Sequence, residues 1–589
     1  MKKFINIIIV FLFIFIVCGC GDNTSTKPDD PIVDPSTPDI SIDEVEKEEI
    51  TNTKLLLLDV SNNYIELLDC KATKLTENTN IIKYNDGKIN EASYDDLMIG
   101  MNNLYVKSKG NEVLKIIIDG EPLINNIRVG IRKSIANISD ESTLYHDLIT
   151  IKVNSDTILK QFDNTKVFTI KKGTELTFFA NSKNVCCRIN KALYTFDKRV
   201  IINSTDEEFT VTSISRSIGT PSYSGSLEIS LKNNKLLLTN DVNMEDYLVK
   251  VVPSEMPASW SLEALKAQAV AARTYAYREI YNRKYLDYGY VVDDSESSQV
   301  YNNQRSQTAS TKAVNETKGV TMFYDSEPIV AYYYSCSSGL TGNGNEVWIK
   351  NKVIDDIPYL HGMNQTSIDV DVTNEDSVLS FYKTINIDAP SASSSNFRWL
   401  IKMTKAQLRE TLNTNIPLMI KGNESSYPIL EDDAWVEKDF PSDVGEVKNI
   451  KVSERGTSGV VVSLEIECEN VTFRIYNQYN IRFTIRPKDV SSTVTKYSAS
   501  GSSSEYTSTS SNPSILTSGY FAIEINNDEI SFYGGGSGHG VGMCQYSANY
   551  YAKNGMTYSQ ILNKFYSGIN YVNISKEYDV LDNYENLFN

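Results

Sequence analysis

A long succession of short β-prone runs in the first third of the chain constrains its fold most. From about Thr51 to Thr205, runs such as TKLLLLDV, NYIELLD and DLITIKV alternate with Asn, Asp and Gly. Branched and aromatic residues favour extended backbone, and polar turn formers end each run after a few residues. Residues 51–205 are therefore predicted to form a mostly β accessory region, and no group of residues in it suggests a chemical activity.

An alanine-dense segment follows in VVPSEMPASWSLEALKAQAVAARTYAYR. Leu262, Leu265, Ala269 and Ala272 recur at spacings of three and four residues, which predicts a helix with Ser261 as its N-cap. Small side chains let another element approach closely, so we expect this helix to be central.

Other segments complete the predicted organisation of residues 206–589. Two strand-like runs flank a turn at Lys232-Asn233-Asn234-Lys235, and a helical segment then leads to Glu255. The segment VKNIKVSERGTSGVVVSLEIECENVTFRIYN predicts strands joined by a Gly-containing turn. Residues 490–513 are rich in Ser and Thr and are predicted to be a flexible surface insertion. The predicted fold class is α+β, β-rich with a few helices.

The first twenty residues, MKKFINIIIVFLFIFIVCGC, have the pattern of a signal peptide. Two lysines precede a run of 14 residues that is apolar except for Asn6, which is short for a membrane span. The ending VCGC resembles a bacterial lipobox, which implies that Cys20 becomes the acylated N-terminus; the alternative is an ordinary secretory signal. Residues 21–50 are acidic and contain four prolines, so they are predicted to be a tether. The protein is thus expected to be extracytoplasmic and lipid-anchored, facing the wall.

Charge and cysteine content narrow the possible partners and sites. The net charge is −18, with 75 acidic against 57 basic side chains, which disfavours a nucleic-acid partner. Of the eight cysteines, the six after the leader show no CxxC and no regular spacing. We therefore expect buried free thiols and no disulfide framework.

Glu255 stands out because its neighbours are apolar: Val251, Val252, Met256 and Trp260 surround it in sequence. A carboxylate in an apolar setting is costly unless it has a partner or its pKa rises. Two hypotheses follow: a general acid, or a helix acid that interacts with the helix dipole or pairs with an arginine such as Arg273.

A glycine-rich segment near the C-terminus, FYGGGSGHGVGMCQYSANYYAKNG, is the second unusual feature. Six of the nine residues 534–542 are glycine, which implies unusual backbone angles or a close approach of the backbone to a ligand. His539 and Cys544 could form a thiol-hydrolase dyad, but a single His in such a turn more often shapes a cleft. The chain has three histidines and no HExxH, so no metal is expected.

These motifs carry a resemblance. EMPASWSLEALKAQAVAARTYA together with GHGVGMCQYSANYYAKNG resembles the SpoIID/LytB family of cell-wall proteins, and NMEDYLVKVV, DDSESSQVY, SCSSGLTGNGNEVW and ERGTSGVVVSLEI fit the same pattern over roughly residues 206–570. Active members are lytic transglycosylases that cut peptidoglycan glycan strands. The resemblance implies a catalytic role for Glu255, and it places the following substrate-binding residues in the cleft: Arg273, Ser338, Thr341, His539 and Gln545.

Departures from the family pattern bear on these expectations. Some members bind zinc through His and Cys near the loop that corresponds to SCSSGLTGNGNEVW, here called the Ser/Gly loop. That region of this chain offers only Cys336, in keeping with no metal and no cofactor. The family commonly has an acid after Thr341, where this chain has Gly342; Glu346 is a candidate substitute.

The function that the resemblance implies is cleavage of the bond between N-acetylmuramic acid and N-acetylglucosamine to leave 1,6-anhydro ends, with sporulation as a candidate setting. One glutamate suffices, because the C6 hydroxyl rather than water completes the reaction. Hydrolysis would need a second carboxylate, for which Asp246, Asp293 and Glu296 are candidates. The alternatives are a non-catalytic, wall-binding modulator of a wall amidase and a structural envelope scaffold. The expected partners are glycan strands and the membrane, which the N-terminal lipid would reach. If the protein is a modulator, an amidase is a further partner.

Overall fold

The computed structural model describes residues 47–575 and 587–588, except 86, 121–123, 136–139, 302–306, 349–355 and 489. The predicted signal peptide and Cys20 lie outside the described residues, as does the tether up to residue 46. The first strand begins at Glu48, so the predicted tether ends earlier than residue 50. Among the helices of the described residues, none is both long and apolar enough to cross a membrane.

The predicted α+β class is confirmed, with strand content exceeding helix content. The strands before the first long helix are β1 Glu48–Thr53, β2 Leu55–Asp59, β3 Tyr64–Leu67, β4 Asn80–Asn85, β5 Lys88–Glu91, β6 Leu104–Lys109, β7 Glu112–Asp119, β8 Asn126–Gly130, β9 Leu148–Lys152, β10 Thr157–Gln161, β11 Val167–Ile170, β12 Glu175–Asn181, β13 Asn184–Ile189, β14 Ala192–Phe196, β15 Val200–Ile202, β16 Phe209–Val211, β17 Ser222–Tyr223, β18 Ser226–Lys232 and β19 Lys235–Asn243.

The later strands are shorter on average, and all but β35 lie between α-helices. They are β20 Val292–Asp293, β21 Val320–Tyr324, β22 Glu327–Pro328, β23 Tyr333–Tyr334, β24 Arg398–Thr404, β25 Ile429–Glu431, β26 Ala434–Val436, β27 Val447–Arg455, β28 Val461–Cys468, β29 Thr472–Tyr476, β30 Thr495–Ala499, β31 Thr507–Ser511, β32 Phe521–Asn526, β33 Glu529–Gly535, β34 Met543–Cys544 and β35 Asn570–Asn573. The α-helices in the described part of the chain are α1 Met244–Glu255, α2 Leu262–Asn282, α3 Thr308–Glu316, α4 Gly344–Val347, α5 Glu375–Lys383, α6 Lys405–Met419, α7 Gln478–Thr484, α8 Gln545–Lys553 and α9 Tyr558–Phe565.

The strand-rich first third forms sheets that run on into the rest of the chain. One sheet has the order β1-β6-β7-β4-β5, and another has the order β14-β13-β12-β9-β16-β17. A seven-stranded sheet, β11-β10-β15-β18-β19-β8-β20, joins strands from both sides of residue 205. The same hydrophobic core extends from Leu55 to Val314. The structure therefore does not separate an accessory region from the rest at residue 205.

The hairpin predicted at residues 232–235 is confirmed. Strands β18 and β19 pair in antiparallel register from Ser226 opposite Asp241 to Lys232 opposite Lys235. Asn233 and Asn234 adopt φ angles of 54° and 59°, the left-handed pair that a two-residue type I′ turn requires. The hairpin leads directly into α1, as the sequence indicated.

The predicted alanine-rich helix is α2, and it packs against two separate hydrophobic cores. Ala264, Leu265 and Ala269 belong to the core shared with the first sheets. Ala267 and Val270 belong to a second core built from the C-terminal part of the chain. Because alanine leaves room on both faces, the helix can lie between the two cores, which confirms its central position. Ser261 stands at the N-cap, although its side chain makes no capping hydrogen bond.

The C-terminal half adds two five-stranded sheets, ordered β31-β30-β24-β33-β32 and β26-β25-β29-β28-β27. The second contains the predicted strands of the segment that begins at Val447. The Ser/Thr-rich segment 490–513, predicted to be a flexible surface insertion, contains the hairpin β30–β31, which extends the first sheet beyond β24. The serine and threonine side chains of this segment therefore lie on strands, and every residue of β31 is exposed.

Candidate active site

A cleft of about 740 Å³ lies where the end of α1, the loop after β20, strand β23, helix α7 and the glycine-rich segment before β34 meet. Glu255, His539 and Gln545 line it, so the structure brings together three of the predicted site residues. Its walls are strongly aromatic. The rings that line it are Tyr275, Tyr332, Tyr333, Tyr334, Trp348, Tyr479 and Phe483.

Glu255 reaches the cleft because α1 ends there. Asn243 caps the start of the helix by accepting a hydrogen bond from the Glu245 amide. Pro253 lacks an amide hydrogen, and the helix stops two residues later with Met256 in an extended conformation. Val252 and Met256 point into the core, whereas Glu255 is half-buried at the cleft wall.

The environment of Glu255 favours the protonated carboxyl. Burial raises its pKa to about 7, and the nearby charge of Glu296 acts in the same direction. Two hydrogen bonds to Oε1 oppose this shift: the Val300 amide donates at 2.8 Å and the Tyr333 hydroxyl at 3.2 Å. A hydrogen bond from the Gln545 side chain also lowers the pKa. Glu255 is therefore an acid that can exchange a proton near neutral pH.

A hydrogen-bonded chain behind Glu255 holds Tyr333 in place. The Gln299 side-chain amide donates to the Tyr333 hydroxyl at 3.0 Å and to the Ala272 carbonyl at 3.2 Å. The Tyr247 hydroxyl donates to the side-chain amide oxygen of Gln299 at 3.2 Å. Sequence reasoning missed this chain, although Gln299 lies in the stretch DDSESSQVY and Tyr333 in the strand before the Ser/Gly loop.

His539 shapes the cleft through its backbone contacts. Its Nδ1 accepts from the Val541 amide at 3.1 Å, so Nε2 carries the hydrogen and donates to the Tyr333 carbonyl at 2.9 Å. Burial lowers its pKa to about 4, which keeps the imidazole neutral. Both ring nitrogens are occupied, so His539 orients the β23 strand that carries Tyr333.

The structure does not support the thiol-hydrolase dyad. Cys544 is fully buried, and burial raises the pKa of its thiol. Its sulfur contacts the Ser337 and Ser547 amides and the Ser335 carbonyl rather than His539. The cysteines of the described residues are all buried and free, as the sequence predicted.

The glycines of the GHGVGM segment permit the close approach that the sequence indicated. Strand β34 pairs in parallel with β23, and this brings the segment against the strand that carries Tyr333. At Gly542, φ is +72° and an added Cβ would lie 2.0 Å from the Tyr332 carbonyl oxygen. A side chain at Gly542 would therefore displace β23 and the residues that contact Glu255.

Gln545 is the first residue of α8 and lines the cleft. Its side-chain amide donates to the side-chain oxygen of Gln268 on α2 at 3.2 Å. A hydrogen bond from Gln545 also stabilises the Glu255 carboxylate. This polar group thus links the central helix to the acid.

Arg273 is placed differently from its prediction. Its guanidinium is fully buried and pairs through Nη2 and Nε with the Glu245 carboxylate, at 2.6 and 2.9 Å. It also donates to the Val320 carbonyl. The structure therefore corrects the prediction that Arg273 binds substrate in the cleft, and it also excludes Arg273 as the ion-pair partner of Glu255. Its role here is to fasten α2 to the first turn of α1.

Ser338 and Thr341 also lie behind the cleft wall rather than in it. Both are almost inaccessible to solvent, at 1% and 2%. Ser338 hydrogen-bonds within its own loop to Leu340, and the Thr341 hydroxyl accepts from the Met363 amide at 2.8 Å. This corrects their prediction as substrate contacts, because each shapes the Ser/Gly loop from inside.

Glu346, the candidate substitute acid, is used structurally. Its carboxylate accepts from the Thr457 and Ser458 amides at 2.8 and 3.0 Å and from the hydroxyls of both residues. Burial alone would raise its pKa, but the two hydroxyls and the Ser458 amide lower it. It therefore clamps the turn between β27 and β28.

Among the three candidates for a second carboxylate, only Glu296 lines the cleft. Asp293 is buried and paired with Arg132 at 3.0 Å, and Asp246 is exposed outside the cleft. Two cations that sequence reasoning did not consider, Arg482 and Lys496, line the same cleft. Within the described ranges, no group of three or more His, Cys, Asp or Glu side chains could hold a metal ion.

Comparison with known proteins agrees with the family resemblance. A family model described as Stage II sporulation protein, SpoIID, matches residues 232–324, which include Glu255 and Gln299. The stage II sporulation protein D of Bacillus subtilis is 25% identical over 343 residues, which cover 56% of this chain and 74% of that protein.

Two further relatives extend the comparison. An amidase enhancer of Bacillus subtilis is 26% identical over 326 residues, which cover 54% of this chain but only 39% of that protein. An uncharacterized protein of Brachyspira hyodysenteriae is 27% identical over 387 residues, 65% of this chain and 80% of that protein. The aligned part of this chain thus spans about two fifths of the amidase enhancer.

Proposed function

Since this chain is a member of the SpoIID family, we propose that it is a peptidoglycan lytic transglycosylase. The reaction would cleave the β-1,4 bond between N-acetylmuramic acid and N-acetylglucosamine in glycan strands. The observation that carries the proposal is Glu255, a cleft carboxyl whose pKa is raised to about 7 by burial. A protein that only binds the wall has no need of such an acid.

The geometry supports a single-acid mechanism. Glu255 donates its carboxyl proton to the glycosidic oxygen, the bond from that oxygen to the muramic C1 breaks, and positive charge develops at C1. The Val300 and Tyr333 donors stabilise the carboxylate that remains. That carboxylate then takes the proton of the C6 hydroxyl as O6 bonds to C1, which closes the 1,6-anhydro ring and restores the acid.

The aromatic walls suit a carbohydrate ligand. Tyr332, Trp348 and His539 pack with ring centroids 5.1 to 5.8 Å apart, which forms a rigid surface beside Glu255. Tyr479 and Phe483 form a second ring pair, with centroids 4.5 Å apart. Such surfaces bury the apolar faces of sugar rings and keep bulk water from the acid, which favours attack by the C6 hydroxyl.

A second candidate function is a wall-binding modulator of a cell-wall amidase, and the similarity to the amidase enhancer favours it. The two functions place the same cleft against the same polymer, but only the first needs Glu255 to transfer a proton. Both would place the protein outside the cytoplasm, and a role in sporulation agrees with the name of the B. subtilis relative.

The deciding experiment incubates the purified protein with intact and with amidase-treated sacculi and identifies the released glycans by mass spectrometry. We expect products that end in 1,6-anhydro-N-acetylmuramic acid, released about 10²–10⁴-fold more slowly by the Glu255→Gln protein. Reducing ends that disappear in Glu296→Gln would instead indicate hydrolysis with Glu296 as the second carboxylate. No cleavage of either preparation, together with faster digestion by an added amidase, would establish the modulator function.

A further inference from the structure

Two positively charged side chains line the wall of the cleft formed by the C-terminal half of the chain. Arg482 projects from α7, and Lys496 projects from β30. Arg482 is 7% exposed, and Lys496 is half-buried. Both are thus partly removed from water in the cleft that contains Glu255.

Their hydrogen-bond partners are all neutral. Arg482 donates through Nε to the Leu516 carbonyl at 2.8 Å, through Nη2 to the Thr517 carbonyl at 3.2 Å and through Nη1 to the Gln478 amide oxygen at 3.2 Å. Lys496 donates to the Asn396 amide oxygen at 2.8 Å. A guanidinium has five N–H donors and an ammonium three, so both groups keep hydrogens for a further acceptor.

Other buried arginines of the described chain show how unusual this is. Arg128, Arg199, Arg216 and Arg273 each form an ion pair with a carboxylate at 2.5 to 2.6 Å. Arg398 is also bound to carbonyls only, but it does not line the cleft and its guanidinium stacks on Phe397. In a chain with 75 acids against 57 bases, these two cleft cations thus lack a carboxylate partner among the described residues.

Electrostatics agree with an unfilled anion position. Burial lowers the pKa of Arg482 to about 10 and lowers that of Lys496. A bound anion would reverse both shifts, because an opposite charge stabilises the protonated form. The charges of Tyr479 and, to a smaller extent, Glu296 raise the pKa of Arg482, and Glu296 does so without forming an ion pair with it.

We propose that Arg482 and Lys496 form an anion-binding subsite that takes a carboxylate of the wall polymer as the glycan lies in the cleft against Glu255. The inference rests on the proposed function for its ligand. A glycan strand is otherwise neutral, and its carboxylates are those of the lactyl group of N-acetylmuramic acid or those of a stem peptide. A pair of fixed cations would set which sugar stands beside Glu255, and would reject polymers of N-acetylglucosamine alone. On this proposal, Arg482 and Lys496 bind substrate in the way predicted for Arg273.

The test measures binding rather than cleavage, so it separates this subsite from the proposed reaction. The Glu255→Gln protein, which should bind without turnover, is titrated calorimetrically with four tetrasaccharides. These are the peptide-free muramyl glycan with free lactyl carboxylates, the same glycan after reduction of those carboxyls, its peptide-bearing form and chitotetraose. A second substitution, Lys496→Met, keeps the side-chain length and removes the charge. Lys421→Met, at an exposed lysine after α6, is the matched control.

We expect the peptide-free glycan to bind about 10- to 100-fold more tightly than its reduced form, as a charge-assisted hydrogen bond implies. Lys496→Met should remove most of this difference, and Lys421→Met should leave it unchanged. If only the peptide-bearing form shows the Lys496-dependent gain, the ligand is a stem-peptide carboxylate. Equal binding of all four ligands, or a gain that survives in Lys496→Met, would overturn the subsite. The outcome is independent of cleavage, since a native protein that binds in this way but makes no anhydro product would refute only the transglycosylase.

Discussion

Replacing Tyr333 by Phe should move the alkaline limit of activity to higher pH. The Tyr333 hydroxyl donates to Glu255 Oε1 at 3.2 Å and lowers the pKa of that carboxyl, because a hydrogen bond to the charged form favours it. Removing it leaves the Val300 amide in place. The substitution therefore makes the carboxylate harder to form while the protonated acid keeps its position.

The size of the shift follows from the strength of the lost bond. Hydrogen bonds to charged groups contribute about 1.5–3 kcal/mol, and one pKa unit corresponds to about 1.4 kcal/mol. Because the bond is long at 3.2 Å, we take the lower end, which gives a shift of roughly one unit. The midpoint of the alkaline limb should then move from about 7 in the native protein to roughly 8.

The assay is the initial rate of glycan release from sacculi at low substrate, measured at a series of pH values. At low substrate, the alkaline limb of the curve of rate against pH reports the pKa of the acid in the free protein. Tyr334→Phe is the matched control, since the Tyr334 hydroxyl is buried in the same cleft without a hydrogen-bond partner among the described residues. An unchanged or lowered midpoint in Tyr333→Phe would refute the assignment of Glu255 as the acid held by Tyr333.

The remaining predictions concern stability, the leader and metals. Glu255→Gln should lower cleavage about 10²–10⁴-fold. The same substitution should raise the free energy of unfolding by about 2–3 kcal/mol above pH 7. The reason is that the folded-state pKa of Glu255 is raised to about 7, so the native protein loses stability as the pH rises from 4.5 to 7 and the glutamine variant does not. In denaturant titrations at pH 4 the gain should vanish. Arg273→Met should destabilise the fold by about 3–5 kcal/mol, since it leaves Glu245 without its buried partner; a native melting curve with only weaker glycan binding would support the original prediction for Arg273 instead. Cys20→Ala should release the protein from membranes on fractionation, and retention after a salt wash would exclude lipidation as the anchor. Chelation with EDTA should leave both activity and melting temperature unchanged, and a loss restored by zinc would contradict the expected absence of a metal.

The fold class and the local elements could be predicted because they depend on short-range patterns. The β-prone runs, the Asn-Asn turn at 233–234 and the three- and four-residue spacing of α2 each lie within one element. The segment 490–513 was misjudged because its Ser and Thr content is typical of loops, while its strands are stabilised by pairing with β24, about a hundred residues away.

Glu255 could be singled out from the sequence because its apolar neighbours are local and already imply a raised pKa. Arg273 could not be assigned correctly, since its spacing on α2 says nothing of whether it faces the cleft or α1. Ser338 and Thr341 were placed in the right loop but on its buried side, because a loop without periodicity gives no sign of which side chains point inward.

The sequence by itself determined most local elements of this protein and singled out Glu255 as a candidate acid. Tertiary structure decided what surrounds that acid. The Val300 amide and the Tyr333 hydroxyl reach Glu255 from positions 45 and 78 residues away, and the His539 ring that orients Tyr333 lies 206 residues beyond it. Burial, hydrogen bonding and the cations at Arg482 and Lys496 all depend on segments that meet only when the sheets and α2 pack. A pKa is set by the solvent and charges around a group in space, so its final value belongs to the packed fold and not to the neighbours in the chain.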